Sequence, residues 1–258
     1  LVEDEAEADL TPLEEEDPVA VILAAPPPPK EDPWPAISQG MIILKPSQEG
    51  RIVASEDQKK MLGQGDRVYL RTQGVPLLPN QEWVVFKSVK DVFHPKTKVQ
   101  MGELVHVLGL VKVIDVSEQV ATARVTRSTE PMERGDRIAF LEQFIPLSTE
   151  KGVTPKKGTE AFVVDVKDGR NNNGQHDIVY IDYGKADGIT RGDRFIVVHE
   201  AVRNDTFSET TQKDTSLPYR KVGTMVVLAT QAHTATAKII QSIEPILKGD
   251  TLLFDPAN

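Results

Sequence analysis

The chain has 258 residues, 39% of them hydrophobic and 5% aromatic, with no cysteine and a formal net charge of −9. That length suggests two domains of roughly 100–150 residues each. The composition excludes disulfides, thiolate metal sites and a cysteine nucleophile, and no window approaches the ~18 apolar residues of a membrane-crossing helix.

Residues 1–40 read as an acidic, proline-rich linker, expected to be disordered. They hold eleven acids, a single base (Lys30) and eight of the eighteen prolines. Such sequence buries too little apolar surface to offset the entropy lost on ordering. The run Pro26–Pro29 favours polyproline II. Val19–Ala25, VAVILAA, is an uncharged, β-prone strip inside this linker. Its Val19, Val21, Ile22 and Leu23 either fold back on the body or add a strand to a partner's sheet. The linker carries −10 and the rest of the chain +1. Nothing in the sequence offers the basic stripe that a nucleic-acid backbone needs, and no nucleic-acid partner is expected. Leu at position 1 suggests a removed leader or a fragment.

Beyond residue 40, apolar and polar residues alternate in short runs bounded by glycine, proline or charge. The period of two predicts strands at Arg67–Arg71, Glu82–Ser88, Glu103–Val116, Ala121–Ser128, Ala161–Val166, Ile178–Gly184, Arg194–Glu200 and Thr224–Gln231. One modest helix signal, Ser55–Leu62, has a capping serine and a terminating Gly63. The polar stretches 167–177 and 204–218 read as loops between strands. The expected fold is all-β: two tandem small β-barrel or sandwich domains, 41–150 and 151–258, after the linker.

The two halves repeat each other. Ala121–Asp136 (ATARVTRSTEPMERGD) and Ala235–Asp250 (ATAKIIQSIEPILKGD) share eight of sixteen residues. Gly63–Leu70 aligns with Thr190–Val197, and each half is expected to run through a glycine-led strand, at Gly102 and Gly223. Gly-Asp opens strands at Gly65–Asp66, Gly135–Asp136, Gly192–Asp193 and Gly249–Asp250. Glycine supplies a positive φ and aspartate bonds nearby amides. The preceding residue is Gln64, Arg134, Arg191 or Lys248. The Arg-Gly-Asp triplet, which cell-surface receptors read, is therefore a turn device before it is an adhesive signal. The proline of Glu130–Pro131 and Glu244–Pro245 keeps the preceding residue extended and ends a strand.

Chemistry is sparse. No two of His94, His106, His176, His199 and His233 have metal-ligand spacing, and no Gly-x-Ser-x-Gly elbow occurs. His106 and His233 fall in strand patterns and are expected to be half-buried; His199 is expected at a solvated strand end. The loop 166–177 misses the calcium-loop frame at Arg170. No catalytic, metal or cofactor site is expected.

The stretch DIVYIDYGKADGITRGDRFIVVHE, Asp177–Glu200, resembles the C-terminal domain of the FlgT family of flagellar H-ring proteins. Gly184, Gly188, Ile189, Gly192, Asp193, Arg194 and Phe195 fill that family's turn-and-strand pattern, and Lys221–Phe254 continues it. Residues 41–258 further resemble the C-terminal region of the LysM-containing proteins associated with type IV pilus secretins (TsaP-like). The resemblance implies a non-enzymatic periplasmic accessory protein. It would decorate an outer-membrane secretin ring in several copies and help anchor the ring to the cell envelope. This chain shows no LysM pattern, so peptidoglycan binding would belong to a module elsewhere in the protein. The expected contact surfaces are the Val19–Ala25 strip, an exposed sheet edge and the two polar loops. The alternatives are a cell-wall or flagellar-ring structural protein, and an enzyme acting on envelope polysaccharide with two acids across a cleft.

Overall fold

The computed structural model describes residues 32–57, 59–117, 120–145, 152–200, 202–203, 212–213 and 218–256. A one-turn helix, α1 (Trp34–Ile37), and β1 (Met41–Ile43) come first. A first set of strands follows: β2 (Gly50–Ser55), β3 (Arg67–Thr72), β4 (Glu82–Phe93), β5 (Gln100–Val116), β6 (Ala121–Ser128) and β7 (Arg137–Phe140). The second set is β8 (Glu160–Val166), β9 (Ile178–Ile181), β10 (Arg194–His199), the two-residue strands β11 (Val202–Arg203) and β12 (Gln212–Lys213), β13 (Arg220–Thr230), β14 (Ala235–Ser242) and β15 (Thr251–Asp255). The all-β expectation holds.

Six strands of the second set close into a barrel in the order β10-β13-β14-β9-β8-β15, and β11 and β12 pair as a separate two-stranded sheet. The first set makes the same ring, β4-β5-β6-β3-β2-β7. It closes because β7 pairs with both β2 and β4 while β5 pairs with β6. Alternation fills each interior. Ile52, Val68, Leu70, Trp83, Val111 and Val125 lie inside the first ring; Val163, Val179, Ile181, Phe195, Met225 and Ile239 lie inside the second.

The repeat is exact in register between β3–β6 and β9–β14. Arg67 to Leu70 pair with Arg124 to Ala121, and Ile178 to Ile181 pair with Lys238 to Ala235. This corrects the alignment expected from sequence. Gly63–Leu70 corresponds to Gly174–Ile181, not to Thr190–Val197, and the counterpart of Gly223 is Gly109, not Gly102. Gly109 pairs with Ser128 as Gly223 pairs with Ser242. The Arg-Gly-Asp spelling misled the alignment, because the true counterpart of Gly65 is His176.

Each ring contains three copies of one turn. In Gly63–Asp66, Glu133–Asp136, Gly174–Asp177, Thr190–Asp193 and Leu247–Asp250, the fourth N–H donates to the first carbonyl. The third residue has φ between 77° and 102°, as a type II turn requires. The aspartate Oδ2 accepts the first residue's N–H at 2.6–3.0 Å. The sixth copy, Leu78–Gln81, has Asn80 at φ 68° and the Gln81 carbonyl oxygen in place of the carboxylate. Every turn is also clamped to a neighbouring strand. The third N–H donates to one buried residue (Ile52, Val113, Val125, Val163, Val227 or Ile239), whose own N–H donates back to the fourth carbonyl. A β-bulge follows each of those six residues. Bulges raise local twist and curl a sheet toward closure. Asp193 accepts both the N–H and the hydroxyl of Thr190, at 2.7 and 3.0 Å. Asp193→Ala is expected to lower stability by about 1–2 kcal/mol, while Arg134→Lys leaves the unfolding midpoint unchanged; urea titrations of both variants check this.

Ser55–Leu62 is not a helix. Ser55 ends β2, Glu56 and Asp57 turn, and Leu62 exchanges backbone bonds with Met132. So short a segment nucleates poorly, and burying Leu62 against the first core outweighs it. The only α-helix among the described residues, α1, lies within the expected linker. There Ile37 is buried against Val84, Phe86 and Phe144. The strip Val19–Leu23 and most of 204–218 lie outside the described residues.

Candidate functional site

The first ring has an arm. β4 and β5 run on past the barrel as a hairpin turning at His94–Val99, and β1 adds to it through Met41–Val105, Ile42–Leu104 and Ile43–Glu103. The arm lies on the outer face of the second ring. Ile42, Val92 and Leu104 pack there with Val164, Ile178 and Tyr180. β1 is held from its other side too, since Thr236 and Thr234 donate their hydroxyls to the carbonyls of Gly40 (2.9 Å) and Ile42 (3.3 Å). Tyr180 donates to the Gln39 carbonyl at 3.0 Å, and burial pushes its phenol far above the usual range. Among the described residues the rings themselves are closed, and the strand edge left without a partner is that of β4 in the arm, which pairs with β7 only as far as Phe86 while it pairs with β5 on to Phe93.

Polar clusters line this seam. Asp165 is 2% exposed and accepts from Lys90 (2.9 Å), Lys248 (3.3 Å) and the Val166 N–H (2.8 Å). At the arm's tip, His94 Nε2 meets Asp182 Oδ2 at 3.0 Å, while Nδ1 accepts the N–H groups of Lys96 and Thr97 at 3.1 Å. Two donors on Nδ1 put the ring proton on Nε2, which faces Asp182. Burial raises the Asp182 carboxyl above its usual range, opposed by bonds from the Phe162 N–H and His94. The ammonium of Lys96 sits 3.8 Å from the Phe162 ring centre.

A third cluster surrounds His199, whose Nε2 faces Asp250 (3.1 Å) and Nδ1 faces Glu244 (3.3 Å). Arg220 forks onto Glu244 and holds its carboxyl below the usual range. His199 ends β10 with its ring 25% exposed, whereas His233 is 74% exposed outside any strand, not half-buried.

Of the expected turn residues, only Gly249 and Asp250 join this seam. Lys248 of the same turn reaches Asp165, and a side chain at Gly249 would meet Pro95 of the arm at 3.7 Å. Gly65, Asp66, Gly135, Asp136, Gly192 and Asp193 serve their own corners. The Asp136 and Asp193 carboxylates fold back into their turns, the opposite of a displayed adhesive triplet. Lys90, His94, Asp165, Asp182 and Tyr180 were missed by sequence reasoning, because contacts 75 or more residues apart leave no spacing signal. Fold and seam define a tandem pair of six-stranded barrels joined by an arm. No family model and no curated protein matches the chain.

Proposed function

We propose that this chain is a non-enzymatic accessory of the bacterial periplasm that associates with an outer-membrane secretin ring of a type IV pilus machine. The family resemblance of Asp177–Glu200 and Lys221–Phe254 motivates this reading; those two stretches supply β9, β10, β13, β14 and β15 of the second ring. The observation that carries the non-enzymatic part is the use of the acid and histidine side chains along the seam. Asp165 with Lys90 and Asp182 with His94 bond across the seam between the rings, and His199, Glu244 and Asp250 bond to one another within the second ring. A body of two rings joined by an arm suits a spacer or clamp. The candidate contact surface is the apolar groove between Ile42–Leu44, Gln100–Met101 and Gln231–Thr234, where Leu44 is 70% exposed. Exposed apolar patches of this kind mark interaction sites.

The test is a pull-down from detergent-solubilised envelope membranes with the full chain as bait. The expected result is enrichment of a secretin, reduced when Leu44 is replaced by Asp. Enrichment of flagellar-ring or cell-wall components alone would replace the secretin with that alternative.

A further inference from the structure

The duplication assigns a counterpart to every residue of the face that receives the arm. Register pairs Phe162 with Arg51, Val164 with Val53, Asp165 with Ala54, Ile178 with Arg67, Tyr180 with Tyr69 and Asp182 with Arg71. The same outer face therefore exists on the first ring, where, among the described residues, no arm covers it. Arg51, Ala54, Arg67, Arg71 and Ile114 there are exposed. Its chemistry is inverted. Two aspartates and two apolar residues have become one alanine and three arginines.

The arginines are not scattered. Arg51 lies directly opposite Arg71 on one side and Arg137 on the other, and Arg124 lies opposite both Arg67 and Lys112. Like charges directly across a sheet are unfavourable. Arg67 reaches Glu56 at 3.4 Å, and Arg137 reaches Ser88 at 3.0 Å and Glu103 at 3.9 Å. Two cationic rows across three strands each are a surface built for an anionic occupant.

The duplication also names an occupant. The arm of the first ring, residues 88–105, carries three bases and two acids, and docks on Asp165 and Asp182. The second ring has an insertion at the same place, between β10 and β13. This is residues 200–219, with β11 and β12 paired through Val202–Lys213 and Arg203–Gln212. It carries four acids (Glu200, Asp205, Glu209, Asp214) and two bases. Both partners of the interface have changed sign together.

We infer that the arginine face of the first ring is the docking site for the 200–219 arm of a second copy of this chain. The contact repeats between molecules the arm-on-ring joint seen within one. It is heterologous, head to tail, and so propagates into a closed ring or a filament according to the rotation between copies. This inference is independent of the secretin assignment and stands or falls on self-association alone.

The experiment is sedimentation velocity of the full chain over a range of concentrations, at low salt and at about 0.5 M salt, where screening shortens charge interactions to a few Å. Concentration-dependent growth is expected at low salt and is expected to weaken at least ~10-fold at high salt. Arg51→Glu with Arg71→Glu, and separately Asp205→Lys with Glu209→Lys, are each expected to abolish growth. Mixing the two variants, or combining all four changes in one chain, restores it and shows that both variants remain folded. A chain monomeric at every concentration overturns the inference. So does growth that is lost on reversing the arginines and untouched by reversing the arm, which would assign the face to another anion such as the acidic residues 1–31.

Discussion

Replacing Lys90 and Lys248 together by Met is expected to cost about 3 kcal/mol of unfolding free energy, the lower end of what breaking a buried ion pair costs. Asp165 is 2% exposed, and both lysines are nearly half exposed. The double substitution strands a carboxylate in the seam, with only the Val166 N–H to meet it. The reverse change is cheaper. Asp165→Leu leaves two cations with access to water, so its cost is about 1 kcal/mol, mainly for the Val166 amide left without its acceptor. The first ring already carries an apolar residue, Ala54, at the equivalent place. Denaturant unfolding of the two variants decides the matter; equal losses, or a larger loss for Asp165→Leu, would refute the assignment of Asp165 as the buried member of the joint.

Gly102→Val is expected to strip β1 from the arm. Gly102 has φ of 136°, and a Cβ there would lie 2.4 Å from the Ile43 carbonyl oxygen and 2.7 Å from its carbon. The backbone conformation alone is worth about 1–3 kcal/mol of strain for a side-chain-bearing residue. The overlap with backbone atoms cannot be relieved by a rotamer change. The expected outcome is loss of amide protection at Ile42 and Ile43 in hydrogen exchange, with protection inside both rings retained. Full protection of β1 in the variant would contradict this. Gly223→Val tests a different contact, since its Cβ would meet the Gln241 carbonyl oxygen at 2.8 Å within the second ring, and leaves β1 in place.

The strands were legible because alternation is a local property. Arg67–Arg71 and Ala121–Ser128 show it plainly, and their boundaries fall within a residue of β3 and β6. The matched stretches 121–136 and 235–250 correctly announced one shape written twice. β1 carries a weaker pattern, because its successive residues Met41 and Ile42 are both buried, in the two apolar clusters on either side of it. The turn grammar was only half readable. Glycine and aspartate identify four corners, whereas Asn80–Gln81 and His176–Asp177 make the same corner with other residues. The positive φ they share is a backbone state that several small polar side chains tolerate. The seam was not legible at all. Lys90 and Asp165 acquire meaning only when the arm lies down on the second ring. The expectation of no basic stripe missed the cationic rows for a related reason: Arg51, Arg71 and Arg137 are separated in the chain and adjacent only across strands.

α1 and β1 follow the acidic N-terminal stretch; β1 is bonded along one side to β5, and on the other the hydroxyls of Thr236 and Thr234 hold the carbonyls of Gly40 and Ile42. A pull on that stretch along the strand axis would load those bonds in shear. They would have to fail nearly together rather than one after another, as in the peeling of a hairpin from its end. Traction on this end of the molecule would thus be shared between both barrels before either began to yield.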